Sequence, residues 1–487
     1  SSGKWYIEAT ALTLGGNLCL GVSPSDQSAT VAVAGTNYIL INSSGSTVER
    51  YSGGSNVSYS SAFNSYSTGA ILQIAYDADS QKLWFGLNNQ WMDSGTTVTG
   101  NPSSGSNPTL TSMSDIFPSV SLYTSKLAIN AGQRSFSYTP PTDFKSLCTQ
   151  NLPDPTIADG STAFDVDLYT GTGSTHERSE FSFSPDFVWI KQRNTTRNNL
   201  LFDTIRGANK FAVSNSTGVP GTGSGMVTSF DSDGFTVGNS DDVNQSNGTF
   251  VAWCWDGGTS TVSNTDGSIT SSVRANASAG ISIVSWTGRN GTVGHGLNAK
   301  PGLIITKISN SSSIWPVQHS AIGTNILQLE SSVAAASDSS NRFNATEATS
   351  SVFTAGTWWN SDSEGIAYCF APVEGFSAFG SYTGNGSATD GPFIFTGMRP
   401  KFILAKIISG NTDDWVIYDT ERSPFNAADD ELYPNKNSAE VSGSRPVDIL
   451  SNGFKIRNNS NKWNGASSYE YVFAAFAEHP FKTARAR

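Results

Sequence analysis

Charge is scarce in this sequence. Only 14% of its 487 residues are Asp, Glu, Lys or Arg, against about 25% in an average globular chain. The balance is −11, and Lys and Arg never cluster. An acidic chain without a basic patch lacks the electrostatic term that dominates affinity for nucleic acid. DNA, RNA and anionic membranes are therefore not expected partners. Long apolar runs are missing as well. No stretch approaches the roughly 20 residues of a membrane-spanning helix, and no signal-peptide pattern precedes the first apolar segment, so a soluble form without membrane insertion is expected.

Cysteine and histidine are equally sparse. Cys19, Cys148, Cys254 and Cys369 stand more than a hundred residues apart, and the four histidines (His176, His295, His319, His479) are scattered. Neither spacing fits a zinc site. No GxSxG, HExxH, Walker or GxGxxG pattern opens a helix after a strand. No catalytic residue, metal ligand or cofactor is assigned, and an enzyme is not expected. Glycan hydrolysis, which needs two carboxylates across a cleft, is the enzymatic alternative. Its acidic candidates, Asp203, Asp231, Asp233, Asp413 and Asp414, fall in turns or at strand ends. The "FDSDGF" at 230–235 lacks the rest of a calcium loop and reads as a tight glycine turn.

What fills the space instead is Gly, Ser, Thr and Asn around short aromatic or β-branched runs. In residues 1–150 these are "KWYIEATAL", "NLCLGVS", "YILIN", "AILQIAYDAD", "KLWFGLN" and "FPSVSLY". Strands at that spacing predict an antiparallel β-sandwich. "ILQIAYDADSQKLWFGLN" predicts a hairpin, with Asp77 and Asp79 as turn formers rather than an acid/base pair.

The phrases "GKWYIEAT", "LGVS", "IAYDADSQKLWFGLNNQW", "IFPSVSLY" and "INAGQRSFSYTPPTDFKSLC" resemble a SPRY domain in order and spacing. They are most similar to the variety carried by structural proteins of marine tailed phages, whose closing phrase is like "NAGQRSFSYTPPTDFKSL" (130–147) apart from Ala131 and Ser135. The resemblance implies a concanavalin-like sandwich whose first strand lies upstream of residue 1.

Beyond a Pro-containing linker at 151–160, phrases recur. "YTGTGS" at Tyr169 is answered by "WTGRNG" at Trp286 and "YTGNGS" at Tyr382, and each is followed by a Pro-led strand: "PDFVWIK", "PGLIITK" and "PKFILAK". Lys191, Lys307 and Lys406 each stand six positions after the proline. They are expected at solvated strand ends. "LLFDTIRG" matches "WVIYDTERS", and the closing strands are "FVAWCWDGG", "GIAYCFAPVEG" and "EYVFAAFAEHP". Three tandem β-sandwich domains are predicted, at 161–260, 276–376 and 377–487. Cys254 and Cys369 share a slot with Ala475, which predicts buried free thiols. Tyr169, Trp286 and Tyr382 are read as rings closing the core at a strand end. The one helix-like stretch, "SSVAAASDSS" at 331–340, has room for a turn or two.

This three-part tail resembles uncharacterised domains that accompany SPRY in cyanophage and other marine phage structural proteins. The resemblance implies a virion component on the particle exterior or tail: a tail fibre or adhesin, binding a host-surface glycan or protein and other virion proteins. A homo-oligomer, such as a trimer, is expected. A capsid-decorating or head-fibre protein with a purely assembly role is the alternative, and a glycan depolymerase a second. Candidate ligand-binding residues in the sandwich loops are Tyr51, Tyr59, Tyr66, Asn88, Asn89 and Trp91, because aromatic and amide side chains suit sugar or peptide faces.

Overall fold

The computed structural model describes residues 3–16, 18–24, 37–39, 48–52, 55–60, 66–114, 116–122, 124–152 and 154–484. The protein is nearly all β, and its chain divides into two compact units, 1–153 and 154–487. The division falls within the expected linker.

In the first unit two sheets face each other. One carries Lys126–Asn130, Lys4–Thr13, Ile71–Asp77, Lys82–Leu87 and Gln90–Trp91 in that order, with Lys145–Ser146 alongside Lys4–Thr13. The other carries Ser55–Ser60, Val48–Ser52, Asn37–Ile39, Leu18–Pro24 and Ile116–Leu122. Side chains alternate across a strand, so Ile7, Leu72, Ile74, Leu83, Phe85 and Leu87 meet Leu18, Leu20 and Val22 between the sheets. The opposite face of the first sheet is covered too, since Tyr6, Ala75 and Trp84 pack with Phe144. That second covering explains why "LWFGL", after Lys82, is buried throughout rather than alternating. The buried Glu8 anchors the closing phrase, accepting N–H bonds from Ser137 (2.7 Å) and Tyr138 (2.9 Å) and the Tyr6 hydroxyl (2.8 Å).

In the second unit three principal sheets share one strand order. An opening strand (Phe164–Thr170, Ile281–Thr287, Ser377–Thr383) lies beside a closing strand (Thr249–Trp255, Glu364–Phe370, Glu470–Pro480). Next come the Pro-led strand (Phe187–Gln192, Leu303–Ile308, Met398–Ser409) and a fourth (Asn199–Asp203, Pro316–His319, Val416–Asp419). The register repeats as well: Phe187 pairs with Trp255, Leu303 with Phe370, and Phe402 with Phe476. Residues 261–275, outside the predicted domains, supply most of a hairpin, Thr261–Asn264 with Ser271–Asn276, that extends the second sheet.

The first two segments each keep a core of their own, around Val188 and Phe250 and around Val284 and Phe353, and all three segments share another. One apolar cluster takes Phe164, Trp253 and Trp255 from the first segment, Ile305, Tyr368 and Phe370 from the second, and Phe402, Trp415 and Phe476 from the third. The Trp255 ring lies 5.9 Å from Phe370 and 5.7 Å from Phe476, and Phe370 lies 5.5 Å from Phe476. Edge-to-face aromatic pairs of this kind add about 0.5–1.5 kcal/mol each beyond the area they bury.

Two expectations are corrected here. Lys191, Lys307 and Lys406 are fully buried rather than solvated. Each ammonium donates to main-chain oxygens at the strand end, including Gln192 O (2.8 Å) for Lys191, Ser313 O for Lys307 and Asp413 O (2.7 Å) for Lys406. Buried charge persists where carbonyl dipoles replace water. Residues 331–340 contain no helix but a short strand, Ala336–Ser337. Helix forms at Asp241–Asn244 instead, where Ser240 Oγ accepts the Asp242 N–H and two aspartates occupy the first turn. Cys254 and Cys369 are buried free thiols, in register with the equally buried Ala475.

Candidate functional site

The segment Tyr76 to Gly95 builds one end of the first unit. Asp77 Oδ1 accepts the N–H groups of Asp79 and Ser80, both at 3.1 Å, and closes the first turn of the hairpin. The next turn is Asn88-Asn89, with φ of 49° and 63°. Two successive positive φ angles make the two-residue connection that matches strand twist, and Asn tolerates them. Asn88 Oδ1 accepts the Ile71 N–H at 2.9 Å, and the Asn89 N–H donates to Gln73 Oε1 at 2.6 Å. Both asparagines are exposed, yet their first task is to hold the turn.

Trp91, on the two-residue strand after this turn, is half-buried against Gly86, where a Cβ would come within 3.0 Å of the indole. Tyr66 is corrected from a surface contact to a core residue. It is 8% exposed, its hydroxyl donates to Leu18 O at 2.6 Å, and burial raises its pKa. Tyr51 and Tyr59 lie in the strands Val48–Ser52 and Ser55–Ser60, and their side chains fall outside the described residues. Of the six candidates, Asn88, Asn89 and Trp91 are thus brought together.

Just beyond Trp91 a cleft of about 730 Å³ is lined by Asp93, Ser94, Thr99, Asn107, Thr109 and Thr111, with Leu110 and Met113 as its apolar part. Asp93 organises it. Its carboxylate accepts the Gly95 N–H (2.8 Å), the Thr97 N–H (3.2 Å), the Thr99 hydroxyl (2.7 Å) and the Thr97 hydroxyl. Desolvation pushes its pKa up, but the donors from Thr97, Thr99 and Gly95 outweigh it and lower the value to about 2. The Asn107 amide donates to Thr99 O at 3.0 Å and the buried Thr109 hydroxyl to Met92 O at 2.9 Å. Sequence reasoning passed over these residues. The available signal was Asp-x-Gly followed by alternate threonines, "DSGTTVT", an Asx-turn with hydroxyls at every second position.

Such a lining offers hydroxyl, carboxamide and carboxylate groups for hydrogen bonding. Elsewhere the acidic candidates are engaged. Asp203 is fully buried, 2.6 Å from Arg206 and accepting the Tyr368 hydroxyl. Asp414 lies 2.5 Å from Lys436 and 3.1 Å from Lys462, which also pairs with Asp413. Asp231 accepts the Thr236 hydroxyl, and Asp233 is exposed in the turn between Val227–Asp231 and Gly234–Val237. Among the described residues no three His, Cys, Asp or Glu side chains are grouped to hold a metal.

Fold and site together define an all-β protein of antiparallel sandwiches with a polar cleft at one end of its first unit. Residues 159–480, more than half of the chain, match the family model described as "Domain of unknown function (DUF7483)", and the chain belongs to that family. No curated protein matches it. Among solved structures, the crystal structure of the SPRY domain of human HERC1 is similar over 28% of this chain and 79% of that one, at 16% identity and a TM-score of 0.19.

Proposed function

We propose that this chain is a non-enzymatic virion component of a tailed phage, a tail-associated adhesin. Its first unit binds a host-surface glycan or protein. The second, three copies of one β-module at 161–260, 276–376 and 377–487, is a rigid framework that joins it to other virion proteins. The cleft around Asp93 carries the binding part of this reading. Its hydroxyl and amide groups are held in place by their own hydrogen bonds and so bind without first being ordered. The phage assignment comes from the phrases resembling marine phage structural proteins, and the modules are supported by the repeated strand order and register.

The purified chain is expected to be retained on marine cyanobacterial cells or their envelope polysaccharide. Thr111→Trp, which fills the exposed cleft wall, should weaken retention by about tenfold, the equivalent of one or two lost hydrogen bonds. Absence of binding to every such surface overturns the adhesin. Shortened oligosaccharides in the supernatant overturn the non-enzymatic assignment.

A further inference from the structure

The three principal sheets of the second unit treat one edge differently. Their opening strands share a register, with Phe164, Ile281 and Ser377 opposite Trp255, Phe370 and Phe476. Hydrogen bonds from Gly171 N–H to Gly248 O, Gly288 N–H to Ser363 O and Gly384 N–H to Tyr469 O set a common phase. Alternate residues therefore turn their main-chain groups to the outer edge: Val166 and Leu168, Ile283 and Ser285, Phe379 and Ser381.

On the first sheet this edge is blunted. The Val166 N–H is taken by Asp165 Oδ1 at 2.7 Å, and Asp165 and Asp167 hold Lys401 and Arg178 beside it. On the second sheet the edge is covered, with Arg274 and Ser272 paired to Ile283 and Ser285. The third strand, Ser377–Thr383, carries no charge. Among the described residues no strand and no hydrogen bond occupies the outward main-chain groups of Phe379 and Ser381. A groove of about 390 Å³ runs along it, rimmed by Phe393 and Phe395, which are 46% and 62% exposed.

An uncharged, unpaired edge is a template for another strand. We propose that Ala378–Tyr382 pairs antiparallel with the same segment of a second copy of this chain, about a two-fold axis through Gly380; Ser377 is left out because its N–H already donates to Val373 O. The sequence is complementary to itself in that register. Phe379 faces Ser381, Tyr382 faces Ala378, and Gly380 faces Gly380 of the other copy, so each ring meets a small side chain. The two glycines sit at a non-hydrogen-bonded pair, where Cα atoms approach to about 4.5 Å. Although each chain carries a net charge of −11, no like charges oppose one another along the strand. Two four-stranded sheets become one of eight, and the contact closes at a dimer because both copies use the same surface. The pairing is independent of the adhesin reading.

Sedimentation velocity on the full chain over a wide concentration range, with hydrogen exchange on the same samples, tests it. The expected result is a monomer–dimer equilibrium in which the Phe379 and Ser381 amides gain protection as dimer forms. Ser381→Pro removes an N–H that points away from its own sheet, so the fold tolerates it and the chain should stay monomeric. Ser381→Lys, which guards an edge by charge, should do the same and serves if the proline variant fails to fold. A monomer at every concentration, a trimer, or a dimer that survives both substitutions overturns the proposal. So does protection of these amides only when a different virion protein is added.

Discussion

Lys307 Nζ donates to the main-chain oxygen of Thr217 at 3.2 Å, reaching across 90 residues of sequence. Lys191 reaches Asn437 O at 3.4 Å, and Lys406 reaches Ser332 O at 3.0 Å. Each lysine thus ends its own strand and ties down a loop from another segment, in a cycle: first to third, second to first, third to second. Residues at the start of the fourth strands, or just before it, repeat the cycle. The Trp315 indole N–H donates to Val213 O, that of Trp415 to Gln328 O, and the Asn199 amide to Lys436 O.

Replacing Lys307 by Met keeps most of the stem but leaves the buried Ser313 O without its donor, while Thr217 O retains the Ser313 N–H. An unpaired buried acceptor costs about 1–3 kcal/mol. Urea denaturation of the second unit should show Lys307→Met destabilised by about 2 kcal/mol, with its slope unchanged. A midpoint equal to that of the parent would mean that the clamp contributes nothing.

The same substitution should cost more at high pH. Burial pulls Lys191, Lys307 and Lys406 from the ordinary 10.5 down to about 8. Between about pH 8 and 10.5 the unfolded chain holds protons that the folded chain has released. Stability from these groups therefore rises with pH across that window. Met cannot follow, so the gap between parent and Lys307→Met should widen from pH 7.5 to 10. Above pH 10 the opposite sign takes over. Burial raises the pKa of Tyr169, Tyr368, Tyr382 and Tyr418, so the unfolded chain loses phenolic protons first and both proteins should weaken. Midpoints measured by tryptophan fluorescence from pH 7 to 11 check both limbs.

The lysines also mark where sequence reading stops. Their spacing after each proline was visible, because register within one sheet is a local property. Their burial was not, because it depends on loops 74 to 246 residues away. The shared core is hidden for the same reason: Trp255, Phe370 and Phe476 look like parts of three separate domain interiors until they touch. Beside the cleft, Asn88, Asn89 and Trp91 were legible as loop residues, but not the turn that the two asparagines make, because their positive φ angles leave no pattern in the sequence. Tyr66 was not, because an aromatic residue among serines looks the same whether its ring faces a ligand or a core.

Glu8 should be decisive for the first unit. Its carboxylate accepts two N–H groups from the closing phrase and one hydroxyl, while Gln73 Nε2 donates to that hydroxyl at 2.6 Å. In Glu8→Gln one carboxylate oxygen becomes a donor facing donors. The expected loss is about 1–3 kcal/mol, read as earlier exposure of Trp84 in a denaturant titration of the full chain. Hydrogen exchange should show residues 135–140 opening first.

Trp286 and Gly365 offer a test of whether the three segments are copies of one module. Tyr169 stacks on Phe250 with centroids 5.0 Å apart and planes 9° apart, and Tyr382 stacks on Tyr471 at 4.9 Å and 10°. The corresponding pair in the second segment is an indole over a glycine, in the same register. A Cβ on Gly365 would come within 2.3 Å of the ring. The ring cannot yield, since Phe353 and Trp359 hold it at 5.2 and 4.8 Å. Gly365→Ala should therefore destabilise by about 1–3 kcal/mol through overpacking, and Gly365→Phe by more. If the segments share one design, adding Trp286→Tyr to Gly365→Phe rebuilds the pair found in the first segment. The double variant should then be more stable than Gly365→Phe alone, with a favourable coupling of about 1 kcal/mol or more in a double-mutant cycle. Simple additivity of the two losses would show that the shared register does not extend to shared packing.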